Sequence, residues 1–381
     1  MKKITALLAL LMLVGALAGC GKQNHTNKTD KLSIVTTIFP EYDWVRAVLG
    51  DKADNAEVTM LLDNGIDLHS YQPTADDIVK ISDCDLFLYV GGESDGWVDD
   101  ALKNATNKNM KVINLLDVLG DSVKTEEVVE GMQETEHDHD HDHSKEVSTF
   151  EDDEVQDRSL SDWAGDFPAD MTGEEICEHM EGHDHDEDKD HEHEEGEEHE
   201  HEEEKDEHVW LSLKNAEVLV NAISKSLQEL DPDNKDTYAA NAAAYIEKLS
   251  ALDGEYQAAV DAASYKTVVF GDRFPFRYLV DDYGLSYYAA FVGCSAETEA
   301  SFETVSFLAK KVDELKLPCV LTIEGAQHKI AETIVQNTAE KNQKVLTMDS
   351  LQSTSSKDVA NGTTYLSVME KNLSVLKEAL G

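Results

Sequence analysis

The stretch DNKDTYAANAAAYIEKLSALDGEYQAAVDAA, residues 233–263, contains no proline and only one glycine. Apolar and aromatic side chains recur in it every three or four residues, at Tyr238, Ala242, Tyr245, Leu249, Leu252 and Tyr256. This spacing predicts one helix, and about 30 residues at about 1.5 Å each extend roughly 45 Å. Because one small domain does not require such length, a stiff connector between two lobes is favoured. An ordinary long helix within one domain is the alternative.

Strands alternate with helices on both sides of this helix. The predicted strands lie at 32–38, 56–62, 85–90 and 111–114 before it, and at 266–270, 286–292, 318–323 and 344–348 after it. Such alternation predicts an α/β fold of two lobes with parallel sheets. Ligands of two-lobed α/β proteins usually bind between the lobes, at the carboxyl ends of strands. The predicted limits are 32–230 for the first lobe, 231–263 for the linking helix and 264–381 for the second lobe.

The amino terminus has the pattern of a lipoprotein signal peptide over residues 1–20. Two lysines precede an apolar run at 4–17, which is too short to be a convincing membrane span. The run ends in Leu-Ala-Gly-Cys, so Cys20 is the predicted lipidation site. A simple secretory signal with a chance cysteine is the alternative. Residues 21–31 are polar and predict a flexible tether. We therefore expect an extracytoplasmic protein that is lipid-anchored to the cell membrane.

An acidic, histidine-rich insertion at 121–207 interrupts the first lobe. The whole chain has 79 acidic and 32 basic residues, a formal net charge of −47, and this segment alone contributes −33. Nucleic acid is not an expected partner, because its phosphates would be repelled. Like charges and scarce apolar side chains predict disorder. Imidazoles among carboxylates favour an accessory zinc collector over a plain solvated linker. The accessory ligands are His137, His139, His141, His143, His183, His185, His191, His193, His199 and His201.

A metal site in the folded body must use histidines outside this insertion. His69 follows a predicted strand, and His208 precedes a predicted helix, both at element ends in the first lobe. In the second lobe, Asp272 and Glu324 follow predicted strands. Imidazole nitrogens and carboxylate oxygens are common ligands of divalent metals. These four residues form the predicted metal site. The alternatives are hydrogen-bonded surface histidines and helix-capping or solvated carboxylates.

Several of these segments resemble one family, the metal-binding lipoproteins of zinc and manganese ABC importers. LHSYQPT at 68–74 resembles their His-x-Tyr-Glu/Gln-Pro segment, and HVWL at 208–211 resembles their His-x-Trp-Leu segment. Glu324 resembles their acidic strand-end ligand, and the histidine-rich loop is typical of the zinc-handling branch, cluster A-I. The resemblance implies two lobes joined by one long rigid helix, with a metal cleft between them. It also implies a monomer that is not an enzyme and that delivers Zn²⁺ to an ABC permease and its ATPase.

One position departs from the family pattern. The third ligand of the family, often a histidine, corresponds to Arg273, which cannot bind a metal. Asp272 beside it is the nearest replacement. Two imidazoles with carboxylates suit Zn²⁺ but also admit Mn²⁺, so a manganese receptor remains an alternative. A surface zinc store or adhesin without a transport role is a second alternative. A zinc hydrolase is a third, but the sequence has neither a His-Glu-x-x-His motif nor a nucleophile elbow.

A short segment at 150–165 and the cysteines are two further features of the sequence. FEDDEVQDRSLSDWAG at 150–165 resembles the opening of the ZinT-like zinc-binding domain, and we interpret it as a remnant or a docking element. The cysteines form no Cys-x-x-Cys pair, so a structural zinc knuckle is not indicated. Cys294 and Cys319 lie in the same half and are compatible with a disulfide in an oxidising compartment. Cys84, beside an apolar strand, is expected as a buried thiol.

Overall fold

The computed structural model describes residues 31–133, 204–295, 298–325 and 328–381. The strands of this part are β1 (Leu32–Thr36), β2 (Ala56–Met60), β3 (Leu86–Tyr89), β4 (Lys111–Asn114), β5 (Thr267–Phe274), β6 (Ser286–Val292), β7 (Cys319–Ile323) and β8 (Lys344–Met348). The α-helices are α1 (Phe39–Leu49), α2 (Ala75–Asp83), α3 (Val98–Lys103), α4 (Leu115–Leu119), α5 (Leu213–Leu230), α6 (Lys235–Ala262), α7 (Arg277–Tyr283), α8 (Phe302–Leu315), α9 (Lys329–Asn337), α10 (Ser356–Ala360) and α11 (Tyr365–Leu380).

The strands form two four-stranded sheets in which all neighbours are parallel. The first sheet has the order β2-β1-β3-β4, and the second has the order β6-β5-β7-β8. In the first, Val35 of β1 is opposite Thr59 on one side and Phe87 on the other. In the second, Phe270 of β5 is opposite Leu321 of β7. Two parallel sheets with connecting helices confirm the predicted α/β class.

The central strands are buried because helices cover both faces of each sheet. Leu86, Phe87 and Leu88 in β3 are fully buried, and every residue of β7 is buried. Strands buried on both faces read as continuous apolar runs rather than as alternating ones. This pattern explains why both strands were visible in the sequence.

Helix α6 links the two lobes. Its 28 residues extend about 42 Å at about 1.5 Å per residue. Near its start, Asn241 Nδ2 donates to the carbonyl of Val48 in α1, at 3.0 Å. Near its end, the hydroxyl of Tyr256 donates to the carbonyl of Met369 in α11, at 2.7 Å. One rigid element is therefore fixed to both lobes, as expected for the long linking helix.

The margins of the predicted insertion at 121–207 are folded. Thr125 forms an antiparallel bridge with Lys205, so the two chain segments pair where they leave and re-enter the first lobe. Farther along, Gln133 N donates to a carbonyl of β6 at 2.9 Å. The structure thus describes ordered chain inside both predicted limits. The remaining residues, 134–203, lie outside the described part, so their predicted disorder stays a prediction.

Some further expectations also fall outside the described ranges. These are the signal peptide at 1–20, all of the tether at 21–31 except its last residue, and the ZinT-like segment at 150–165. Among the described residues, no helix combines the length and the apolar character that a membrane crossing requires.

Candidate metal site

His69 is held by the short 3₁₀ helix Leu68–Ser70 that follows β2. Asp67 caps this helix, because its Oδ1 accepts a hydrogen bond from His69 N at 3.0 Å. The ring Nδ1 of His69 lies 2.8 Å from Ser94 Oγ and 3.5 Å from Glu207 Oε2. These two groups orient Nδ1, so the other ring nitrogen, Nε2, points away from Ser94 and Glu207.

His208 precedes the 3₁₀ helix Val209–Leu211 and is fully buried. Its Nδ1 lies 3.0 Å from Asp206 Oδ1, which also accepts from His208 N at 2.9 Å. Because a carboxylate only accepts, Nδ1 carries the proton and Nε2 presents a lone pair. Histidines that bind metals commonly donate their other ring N–H to a carboxylate in this way.

The two imidazoles meet through their Nε2 atoms, which are 3.2 Å apart. Two nitrogen ligands at about 2.0–2.1 Å from a tetrahedral zinc ion lie about 3.3 Å from each other. The observed separation therefore matches that of two ligands of one ion. Residues 139 positions apart in the chain supply this pair.

The electrostatic surroundings keep His69 neutral. Burial, the neighbouring His208 ring and Arg273 together lower the pKa of its imidazole to about 3, although Asp67 opposes them. A neutral imidazole is the form that binds a metal. Burial also raises the pKa of the Glu207 carboxyl beside it.

Cys294 joins the histidines and was not predicted as a ligand. Its Sγ and one ring nitrogen from each of His69 and His208 all lie within 4.8 Å of one another. Its backbone N donates to Glu126 Oε1 at 3.0 Å. Burial, followed by the Glu126 carboxylate, raises the pKa of its thiol. Cys294 and Cys319 are both free thiols, so the disulfide considered from the sequence is absent. The overlooked signal is its place just after β6. The same rule singled out Glu324 and also Asp272, but Asp272 lies within β5 rather than after it.

The two predicted carboxylates have other partners. Asp272 Oδ2 accepts from Thr322 Oγ1 at 2.6 Å, and its Oδ1 accepts from Arg273 N at 3.0 Å. Glu324 accepts from Ser350 N and Ser350 Oγ, each at 2.7 Å. Neither belongs to the donor group of His69, His208 and Cys294, the cluster of three found among the described residues.

Arg273, at the position of the expected third ligand, bridges the lobes instead. Its guanidinium forms an ion pair with Asp67, the residue that caps the helix carrying His69. The second lobe therefore contacts the His69 loop through a cation rather than through a metal ligand at this position.

A cavity of about 230 Å³ opens beside the donor group. Its lining residues are His69, Glu93, Ser94, Glu126, Glu204, Lys205, Glu207 and Cys294. Four carboxyl groups against one ammonium favour a cation in this space. The accessory histidines of the insertion and the lipidation site Cys20 lie outside the described residues.

Comparisons with known proteins agree with the fold. The model of the family described as "Zinc-uptake complex component A periplasmic", ZnuA, matches residues 34–379. The chain is 33% identical over 378 residues to the zinc-binding lipoprotein AdcA of Streptococcus pneumoniae, which covers 99% of this chain and 61% of AdcA. It is 27% identical over 383 residues to the high-affinity zinc uptake system protein ZnuA of Bacillus subtilis, covering 100% and 98% of the two chains.

A solved structure also resembles this chain. The Zn(II)-bound ZnuA-like domain of Streptococcus pneumoniae AdcA superposes with a TM-score of 0.59 at 29% identity, covering 92% of this chain and 99% of that one. The chain spans about three fifths of the length of the full pneumococcal relative. The family model matches both lobes and the linking helix. The chain therefore belongs to the ZnuA family.

Proposed function

We propose that this chain is the extracytoplasmic zinc receptor of an ABC importer, which binds one zinc ion between its lobes and delivers it to the permease and its ATPase. The observation that carries this proposal is the 3.2 Å approach of the Nε2 atoms of His69 and His208. Two lone pairs at this distance repel each other unless a proton or a cation lies between them. A proton between the two neutral rings forms one hydrogen bond, and a zinc ion in the same place would be bound by both nitrogens.

The relatives support zinc as the cargo. The pneumococcal relative is named a zinc-binding lipoprotein, and its ZnuA-like domain has been solved in a Zn(II)-bound form. In this chain the donor group combines imidazoles with a thiol, beside a cavity lined by carboxyl groups. Manganese, the alternative cargo, prefers oxygen ligands, so imidazole and thiol donors bind it less tightly than they bind zinc.

Glu324 and Asp272 remain our candidates for additional ligands from the second lobe. To bind the ion, Glu324 would leave its hydrogen bonds with Ser350, and Asp272 would leave the hydroxyl of Thr322. A closing movement of the lobes on zinc binding is the change that would bring either carboxylate to the histidines.

The remaining parts of the proposal concern location and capture. A lipid on Cys20 would hold the chain at the outer face of the cytoplasmic membrane, as a monomer. The ten accessory histidines would raise the local concentration of zinc near the cleft without forming the specific site. No bond is made or broken in this function, so the chain would not act as an enzyme.

Titration of the purified chain with zinc, in competition with a chromogenic chelator, tests the proposal. We expect one tight site, followed by weaker binding from the insertion. His69→Ala should remove the tight site, whereas His328→Ala should not, because His328 contacts Thr322 and is not in the donor group. Manganese should not displace zinc from the tight site. A chain without any tight zinc site, or one that prefers manganese, would contradict the proposal.

A further inference from the structure

We propose that the thiol of Cys294 is a second-lobe ligand of the bound metal, so that the site combines two imidazoles with a thiolate. This inference rests on the proposed function and names the chemistry of its site. The Cys294 Sγ and one ring nitrogen from each of His69 and His208 lie within 4.8 Å of one another. In a tetrahedral site with Zn–S of about 2.3 Å and Zn–N of about 2.0–2.1 Å, sulfur and nitrogen lie about 3.6 Å apart. A closure of about 1 Å is sufficient to complete the site.

The position of Cys294 gives the site a donor from each lobe. His69 and His208 belong to the chain that packs with the first sheet, whereas Cys294 follows β6 of the second sheet. In that sheet Arg273 of β5 is opposite Phe291 of β6. Cys294 lies three residues after Phe291, at the same edge of the sheet. Because Arg273 is paired with Asp67 and cannot bind a metal, the donor at this edge has to come from another residue.

The local backbone is arranged for close contact between this strand end and His208. A β-carbon at Gly293 would lie 2.9 Å from His208 Cε1, so only glycine allows the ring to lie against the chain beside Cys294. The backbone N of Cys294 is fixed by Glu126, whose carboxylate also lines the cavity. Glu126 is therefore a positioning residue for the thiol.

Binding through sulfur is an exchange of a proton for a metal ion. Zn²⁺ forms a bond to Sγ, the S–H proton leaves to the solvent, and no electron is transferred. A thiolate ligand selects zinc against manganese, because manganese prefers oxygen donors. The structure thus supplies a basis for selectivity that two imidazoles and carboxylates alone would not provide.

The other cysteines of the described part are suited as controls. Cys84 is fully buried and lies 3.3 Å from Met110 Sδ, and Cys319 is buried in β7. Neither belongs to the donor group. The chain has five cysteines in all, so a background with Cys20→Ser and Cys177→Ser leaves these two and Cys294 as the thiols.

Cobalt substitution in this background tests the proposal. With one equivalent of Co²⁺, we expect a sulfur-to-cobalt charge-transfer band in the near ultraviolet. Cys294→Ser should abolish the band and reduce zinc affinity at least tenfold, about the smallest loss seen even when groups outside the ligand shell are changed. Cys84→Ser and Cys319→Ser should retain both the band and the affinity.

The outcomes separate this inference from the proposed function. A tight cobalt site without the band, together with a zinc affinity that is unchanged in Cys294→Ser, would refute thiolate ligation while the receptor function stands. Absence of any tight site in the parent chain would instead refute the function. If Cys294→Ser fails to fold, the spectrum of the parent chain decides, supported by protection of the Cys294 thiol from alkylation by one equivalent of zinc. Unprotected alkylation together with a missing band would overturn the proposal.

Discussion

Gly293→Ala should weaken zinc binding while leaving the fold intact. The added β-carbon would lie 2.9 Å from His208 Cε1, 3.1 Å from His208 Nδ1 and 3.0 Å from the carbonyl of Phe274. Comfortable carbon contacts are about 3.5–4.0 Å, so the ring has to move by about 0.6–1 Å. Because Phe274 contributes backbone, which yields less than a side chain, the imidazole is the part that moves. The backbone of Gly293 does not lie in the left-handed region, so alanine adds no backbone strain.

That displacement is larger than a zinc site tolerates, since ligand distances in such sites vary by about 0.2 Å. Overpacking of this kind costs about 1–3 kcal/mol, which corresponds to a loss of affinity of about fivefold to 150-fold. The assay is a zinc titration in competition with a chromogenic chelator, with thermal unfolding of the metal-free chain measured in parallel.

Gly254→Ala is the matched control for this substitution. It lies on an exposed face of α6, and an added β-carbon there meets no atom within 4 Å. It should stabilise the helix by about 0.8–1 kcal/mol and leave zinc affinity unchanged. The reasoning is refuted if Gly293→Ala binds zinc within about twofold of the parent chain.

Three further predictions concern a buried carboxyl group, the carboxylate that orients His208, and the insertion. Glu41 is fully buried, and burial, with Asp95 adding to it, raises its pKa from 4.5 to about 8. The folded state therefore keeps a proton that the unfolded state releases above about pH 4.5, so stability should fall on the order of 4 kcal/mol as pH rises from 4.5 to 8. Denaturant titrations should show this slope, and Glu41→Gln should flatten it; an unchanged slope would contradict the assignment. Asp206→Asn should reduce zinc affinity about tenfold to 100-fold in the chelator assay, because the hydrogen bond that orients His208 weakens; equal affinity would show that Asp206 does not orient the ring. Replacement of residues 134–203 by a short Gly/Ser linker should slow zinc capture at low concentration, measured by stopped-flow mixing, but keep one tight site; loss of that site would place specific ligands in the insertion.

The limits of this deletion follow the described structure, at 134 and 203, and not the limits of 121–207 that the sequence predicts for the insertion. Removal of 121–207 would also remove Asp206 and Glu207, which contact His208 and His69. It would remove Glu126 as well, which fixes Cys294. Limits at 134 and 203 keep all three.

The lobes and their connector were predictable because they depend on local patterns. The spacing of Tyr238, Tyr245 and Tyr256 predicted the linking helix, and continuous apolar runs predicted the buried strands. The same strand-end rule pointed to His69 and to the carboxylates. The structure brings His69 to His208, but long-range contacts decide which second-lobe side chain comes near them.

Those contacts have no signature in the sequence. Asp272 is held by Thr322, and Glu324 by Ser350, through hydrogen bonds between residues that lie 50 and 26 positions apart. From the sequence, Cys294 is expected only as a disulfide partner, although it also follows a strand. Its nearness to the imidazoles depends on the register of β5 and β6, and that register is visible only in three dimensions.

X-ray diffraction at the zinc absorption edge, from crystals of the zinc-loaded chain, tests the central claim most directly. The account predicts one strong anomalous peak about 2.0–2.1 Å from Nε2 of both His69 and His208. A zinc-loaded crystal with no peak between these two rings, and a strong peak at another group of ligands, would contradict it.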